Sequence, residues 1–200
     1  MITTEQVKDL RDKTGISVMQ CRKALEEAGG DIEKALIILR KKSGEMAAKK
    51  SDRTFHSGAI QSYIHSNGTV GSMVILMCET DFVSGNDEFK AVARDIAMHV
   101  AAIRPKYLKK EEITAEEIAK AKEVFINEMN EKGDVKNKPQ AVQDKILEGK
   151  LNAYFAEQVL LNQPFIKNPD ITIQGLLDGA MQKFGEKIEI SKFTRLVVGE

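Results

Sequence analysis

Tryptophan is absent from the sequence, only two cysteines and four prolines occur, and aromatic residues make up 6% of the 200 positions. With eight methionines and so few rings, a core has to be filled mainly by aliphatic side chains. Two thiols, Cys21 and Cys78, are no disulfide framework, and a reducing cytoplasm is the expected compartment. Charge of one sign is lacking as well: 30 Lys and Arg balance 30 Asp and Glu. A nucleic-acid binder needs surplus cations to displace counterions, and a membrane-surface protein needs a basic cluster, so neither partner is expected. No apolar run reaches the roughly 18 residues of a spanning helix. The first ten residues carry Glu5, Lys8 and Asp9 rather than the apolar stretch of a signal peptide. Neither GxxxxGK[ST] nor GxGxxG occurs, so the chain is not expected to cradle a nucleotide itself. His56, His65 and His99 have no ligand-like spacing, and neither metal nor cofactor is expected.

What the sequence has is 42% hydrophobic residues, enough for a real core. Three short amphipathic helices are predicted over residues 1–45. Thr3 with Gln6 and Ser17 with Gln20 form capping-box patterns, Gly15 and Gly29-Gly30 are stops, and Asp31 opens the third helix. Ile32, Ala35, Leu36 and Leu39 recur at helical spacing. A bundle this small is marginal alone and suits docking better than catalysis. Residues 43–54 lack an apolar stripe, which places a linker at 46–54 between that module and a domain at 55–200.

In the second domain, runs at 55–65 and 69–79 flank Ser66-Asn67-Gly68, a hairpin signal resting on residues that accept positive φ. Both faces of the second strand are largely apolar, one with Val70, Val74, Leu76 and Cys78, the other with Met73, Ile75 and Met77. Helices are expected on one side and a partner on the other. Residues 79–86 read as a loop and 163–170 as another. Helices are predicted from Phe89 to Val100, from the Thr114/Glu117 capping box to Gly133-Asp134, after Pro139, and over 172–184. A last strand from Ile188 to Val198, bulged near Ser191-Lys192, should return to the hairpin. The fold class is therefore α+β: a three-helix module followed by a small antiparallel sheet packed with helices.

Little chemistry is on offer. His99 lies four residues after Asp95 and reads as a solvated helix pair, and Cys21 and Cys78 read as core thiols. Phe82-Val83 resists a bland reading, because it is an apolar pair inside a loop between a buried strand and a well-formed helix. Phe82 either folds back as a lid on its own core or protrudes as a wedge into a partner's pocket, with the Asp81 carboxylate beside it.

At these residues the chain resembles the bacterial translation elongation factor Ts family, guanine-nucleotide exchange factors for elongation factor Tu. The resemblance is carried by Leu10–Gly15 (LRDKTG), Met19–Leu25 (MQCRKAL), Tyr63–Gly68 (YIHSNG) and Cys78–Val83 (CETDFV). It continues through Ala97–Ala102 (AMHVAA), Glu148–Leu151 (EGKL) and Gln163–Phe165 (QPF). The resemblance implies an N-terminal module like ubiquitin-associated domains, gripping the partner's GTPase domain, and a dimerisation-type core. Leu10, Arg11, Thr14, Gly15 and Met19 match the module's motif. Thr80, Asp81, Phe82 and Val83 match the turn that would invade the partner near its magnesium and phosphate site. Such a factor makes and breaks no bond of a substrate and is not an enzyme in the chemical sense. Long members of the family carry two core halves and a coiled-coil insertion, whereas this chain has one core, so it resembles members that pair as homodimers. Other readings of the residues are an adaptor with no effect on nucleotides and a thiol-dependent enzyme using Cys78. RNA binding fits worst.

Overall fold

The structure, a computed structural model, describes residues 2–50, 52–132 and 139–199. The chain forms two compact units, Met1–Ala102 with Pro164–Glu200, and Ile103–Gln163.

The first unit opens with α1 (Thr4–Thr14), α2 (Val18–Glu27) and α3 (Ile32–Lys49). Thr3 and Gln6 close a complete capping box on α1, and Gly15 ends it at φ 67, where a side chain would be strained. At Ser17 only half the box forms: its Oγ accepts the Gln20 amide, while the Gln20 side chain bonds the hydroxyl rather than the backbone. Leu10, Ile16, Cys21, Ala24, Leu25, Ala35 and Leu39 make the module's own core. The linker expected from residue 46 is not a spacer, because α3 runs unbroken to Lys49. Two polar contacts explain why a stretch without an apolar stripe stays helical. The buried Ser43 hydroxyl bonds the Leu39 carbonyl and the Gln182 side chain, and the largely buried Lys50 ammonium donates to the Gly185 carbonyl. Both acceptors, Gln182 and Gly185, belong to α8 (Ile173–Phe184) or its cap.

β1 (Ser57–Ile64), β2 (Val70–Cys78) and β5 (Glu189–Val197) form an antiparallel sheet in the order β1-β2-β5. The hairpin turn differs from expectation: of its residues only Gly68 takes positive φ, and its amide closes onto the His65 carbonyl at 2.8 Å. The bulge is present, with Ile75 opposite Lys192 and Leu76 opposite Ile190, leaving Ser191 unmatched. The inner face (Ser72, Val74, Leu76, Cys78) is buried, and α5 (Asp87–Ile103) lies against it. The Ser72 hydroxyl donates to the Ala97 carbonyl at 2.5 Å, and the Arg195 guanidinium donates to the Ala101 carbonyl at 3.0 Å. Phe89 of α5 meets Phe184 of α8 edge-on at 5.9 Å. Residues 163–170, read as loop, contain a short ribbon, β3 (Pro164–Phe165) with β4 (Asn168–Thr172). A two-residue strand broken by proline has no period to read. His99 is buried rather than solvated: its Nδ1 accepts the Ile166 amide at 3.2 Å, and Asp95 pairs with Lys167 at 2.6 Å.

The second unit contains α6 (Ala115–Lys132) and α7 (Gln140–Ala156). The break expected at Gly133-Asp134 lies outside the described residues. Phe125 meets Tyr154 edge-on at 5.5 Å, and Met129 with Leu147 and Ile113 with Phe155 and Val159 form two small cores. The Thr114/Glu117 box is complete and gains a partner, the Tyr107 hydroxyl at 2.6 Å from the Glu117 carboxylate. Donation by Tyr107, then by the Thr114 amide and hydroxyl, pulls the Glu117 carboxyl down to about 2. The same bond, with burial, pushes the Tyr107 phenol up to about 12.

A carboxyl depressed by folding contributes stability above its unfolded pKa and loses it as pH falls toward the folded one. The thermal midpoint should therefore drop between about pH 5 and about pH 2 more steeply in the wild type than in Glu117→Gln, followed by circular dichroism. Equal slopes would show that the Tyr107–Glu117 bond has no part in acid stability.

Candidate functional site

The segment joining β2 to α5 is one helical turn, α4 (Asp81–Gly85), where the sequence suggested a loop. Thr80 is its cap, with the hydroxyl accepting the Val83 amide at 3.4 Å. Val83 is buried, and its side chain anchors the turn to the core. Phe82 points the other way, and 84% of its surface is exposed. Of the two readings left open by the sequence, the lid on the chain's own core is excluded by that exposure. Asp81 and Thr80 are exposed beside the ring.

A phenyl ring in water has no packing to orient it, so its position is set by the backbone beneath it. That backbone is bonded on every side. The Cys78 thiol donates to the Thr80 carbonyl at 3.2 Å. Ser84 donates to the Asp81 carbonyl at 3.1 Å and shares a 2.7 Å bond with Ser57 of β1. From the connection between α8 and β5, the Glu186 carboxylate accepts the Glu79 and Thr80 amides, each at 3.0 Å, and the Thr80 hydroxyl at 2.6 Å. Glu79 reciprocates, accepting the Lys187 amide at 2.6 Å and the Arg53 guanidinium at 3.1 Å. Burial would raise the Glu79 carboxyl, but the Lys187 amide and Arg53 outweigh it, and the net shift is downward. Sequence reasoning missed Glu186. Its partners lie more than a hundred residues away, and the one local signal is its place just after Gly185, the helix-ending glycine.

Cys78 is fully buried, and burial together with the Glu186 charge pushes its thiol up, the reverse of what a nucleophile needs. Cys21 is likewise sealed in the N-terminal core and raised by burial. Among the described residues, no three His, Cys, Asp or Glu converge to hold an ion.

The residues singled out in the N-terminal module divide by exposure. Leu10 is in the core, and Thr14 turns its hydroxyl back to the Leu10 carbonyl at 2.7 Å while accepting the Ile16 amide. Gly15 closes α1. These three shape the fold. Arg11 is on the surface, as is Met19, 71% exposed beside the half-exposed Val18.

A second surface lies on the outer face of the sheet. Ile60 sits across from Ile75, and Ile64 across from Gly71, which itself faces Leu196. Ile60, Ile64 and Leu196 are 58%, 70% and 67% exposed, and Met73 is exposed between them.

The family described as "Elongation factor TS" matches residues 3–200. A protein named "Elongation factor Ts" from Carboxydothermus hydrogenoformans is 48% identical over 200 residues, all of this chain and 90% of the relative. The protein of the same name from Thermosipho melanesiensis is 44% identical over the full length of both chains. That from Heliobacterium modesticaldum is also 44% identical, with 91% of its length covered.

The turn's two apolar neighbours should respond oppositely to truncation. Phe82→Ala should leave urea-unfolding stability within about 0.5 kcal/mol of wild type, because the ring is solvated already. Val83→Ala should cost about 2 kcal/mol. A large loss in Phe82→Ala would mean that the ring packs on its own chain.

Proposed function

The chain belongs to the elongation factor Ts family, and on that premise we propose that it is a guanine-nucleotide exchange factor for elongation factor Tu, acting in the cytoplasm during translation elongation. The observation that carries this reading is the bare Phe82 ring on a turn whose neighbouring backbone is bonded to its own chain. Exposing a large ring forfeits about 2 kcal/mol of burial, and a rigid exposed aromatic is the usual form of a binding anchor.

Phe82 enters a pocket of the GDP-bound partner and repacks it. Close-packed interiors do not deform continuously, so the displacement is passed to the groups holding the partner's magnesium ion and phosphates. Asp81, carried on the same turn, positions the ring or disturbs the magnesium shell. Thr80 and Val83 set the turn itself. With the ion dislodged, GDP leaves. By linkage, a factor that weakens nucleotide binding must itself bind the nucleotide-free partner more tightly by the same free energy. Couplings of about 1–3 kcal/mol give about 5–150-fold, so a fast release calls for an intrusive contact of this kind. The N-terminal module grips the partner's GTPase domain through its exposed residues, Arg11 and Met19, with Leu10, Thr14 and Gly15 shaping the surface. No bond is made or broken on either protein.

The chain also pairs with a second copy of itself through the outer sheet face. Ile60, Ile64, Met73 and Leu196, with Ile75 and Met77 half-buried, share the outer face of the three strands with Ser62, Lys192 and Thr194. Patches of this kind mark interfaces in soluble proteins, and a two-fold axis lets one patch cover itself.

One assay separates the two contacts with elongation factor Tu. Release of a fluorescent GDP analogue is followed at rising concentrations of this protein. Phe82→Ala should lower the saturating rate by about tenfold or more, in keeping with the loss of an interface hot spot. Met19→Asp should raise the half-saturating concentration instead. A wild-type saturating rate in Phe82→Ala would defeat the wedge. Sedimentation equilibrium tests the pairing: the wild type should run as a dimer and Ile60→Lys/Leu196→Lys as a monomer, with unchanged circular dichroism. A monomeric wild type would remove the homodimer.

A further inference from the structure

We propose that Glu186 is a positioning residue for nucleotide exchange, holding the root of the Phe82 turn from a loop remote in sequence; this rests on the wedge reading above. Three bonds converge on its carboxylate. One oxygen takes the consecutive amides of Glu79 and Thr80, and the other takes the Thr80 hydroxyl. The hydroxyl bond carries the argument furthest. Thr80 has one proton to give, and giving it to Glu186 turns a lone pair toward the Val83 amide, the bond that starts α4. Glu186 therefore orients the cap of the turn, and the capped amide is the one immediately after Phe82.

The brace is built from both sides. The Glu79 carboxylate accepts the amide of Lys187, so each of the two chain segments offers its carboxylate to the other's backbone. Arg53 holds Glu79 with one guanidinium nitrogen, 3.1 Å from each carboxylate oxygen, and the Lys187 ammonium reaches the Arg53 carbonyl at 3.1 Å. Lys50, at the end of α3, donates to the Gly185 carbonyl next to Glu186. The helix that carries the docking module and the turn that carries the ring thus meet the same short connection between α8 and β5. Ser57, Cys78 and Val83 hold α4 to the hairpin from which it grows, whereas Glu186 reaches it from the other side of the chain.

The carboxylate acts here as an acceptor of three hydrogen bonds. Glutamine in its place keeps the geometry: the amide oxygen can take the two backbone N–H groups, and its NH2 can donate to the Thr80 hydroxyl, which still accepts Val83. Alanine removes all three bonds. Glu186→Ala should lower the saturating rate of GDP release from elongation factor Tu by roughly tenfold, the scale of one charge-assisted hydrogen bond, with the half-saturating concentration within about threefold of wild type. Hydrogen exchange at the Glu79 and Thr80 amides should quicken in the same variant. Glu186→Gln should recover the rate to within about twofold of wild type. If Glu186→Ala does not fold, Glu186→Asp, whose shorter side chain cannot reach all three donors, stands in for it.

The assignment is overturned if Glu186→Ala keeps the wild-type saturating rate while Phe82→Ala loses it, an outcome that leaves the wedge standing. A Glu186→Gln as slow as the alanine variant also overturns it, since charge and not hydrogen bonding would then be at work. So does a changed half-saturating concentration with an unchanged maximum. Should Phe82→Ala itself release GDP at the wild-type rate, the wedge reading falls and takes this proposal with it.

Discussion

An aromatic ring kept in water has to be held by something other than packing. Phe82 loses the roughly 2 kcal/mol that burial would contribute, and gains no neighbours to fix its direction. The surrounding structure supplies what the ring cannot. Val83 is driven into the core on one side of the turn, the Ser57–Ser84 pair ties its far end to β1, and Glu186 ties its near end to the α8–β5 connection. A side chain on a loosely held loop would lose its ordering entropy on binding, at about 0.5–1.5 kcal/mol per immobilised side chain plus the loop itself. A turn already bonded to its own chain avoids the larger part of that loss. In the proposed function this decides how much of the contact energy remains for disturbing the partner.

The same logic explains why the thiol at the base of the turn is not a reactive group. Cys78 sits on the buried face of β2 and spends its weak donor on the Thr80 carbonyl. Glu186 nearby raises its pKa further, because a second negative charge so close to a carboxylate is unfavourable. A cysteine next to a glutamate can suggest a nucleophile in one dimension. In three, both are structural: the Cys78 thiol holds the Thr80 carbonyl, and the Glu79 carboxylate holds the Lys187 amide and Arg53.

Local patterns were legible where the sequence marks them directly, by cap residues within about four positions, by a turn signal or by a shift of apolar phase. The Thr3/Gln6 and Thr114/Glu117 boxes, the Gly15 stop, the hairpin and the Ser191 bulge could all be read this way. So could the exposure of Phe82 as one of two choices, since an apolar pair in a loop must either cover its own core or face outward. The failures have a common cause. His99 reads as a solvated partner of Asp95, but it is buried with its Nδ1 taking the Ile166 amide, and Asp95 takes Lys167, groups 67 and 72 residues away. The end of α3 reads as linker because it has no stripe, while its helix is kept by Ser43 and Lys50 bonding to Gln182 and Gly185. Glu186 has no local signal beyond its place after Gly185. In each case a polar side chain is committed to a distant backbone or amide group, and hydrophobic periodicity carries no trace of that.

The continuity of α3 changes how the proposed contacts act together. Had residues 46–54 been a flexible spacer, the docking module and the ring would reach elongation factor Tu as two tethered ligands, and binding by one would raise the local concentration of the other without dictating its angle. With α3 helical to Lys49 and its end bonded to Gly185, the module and the turn are fixed on one body. Seating the module then delivers the ring at a set distance and inclination. A rigid pair can drive a side chain into a closed pocket only if the partner yields, since the factor itself has no slack to absorb the misfit. In the proposed function the misfit therefore has to be taken up by the partner. That rigidity serves exchange in the proposed function, and the polar bonds at Ser43, Lys50 and Glu186 contribute to it.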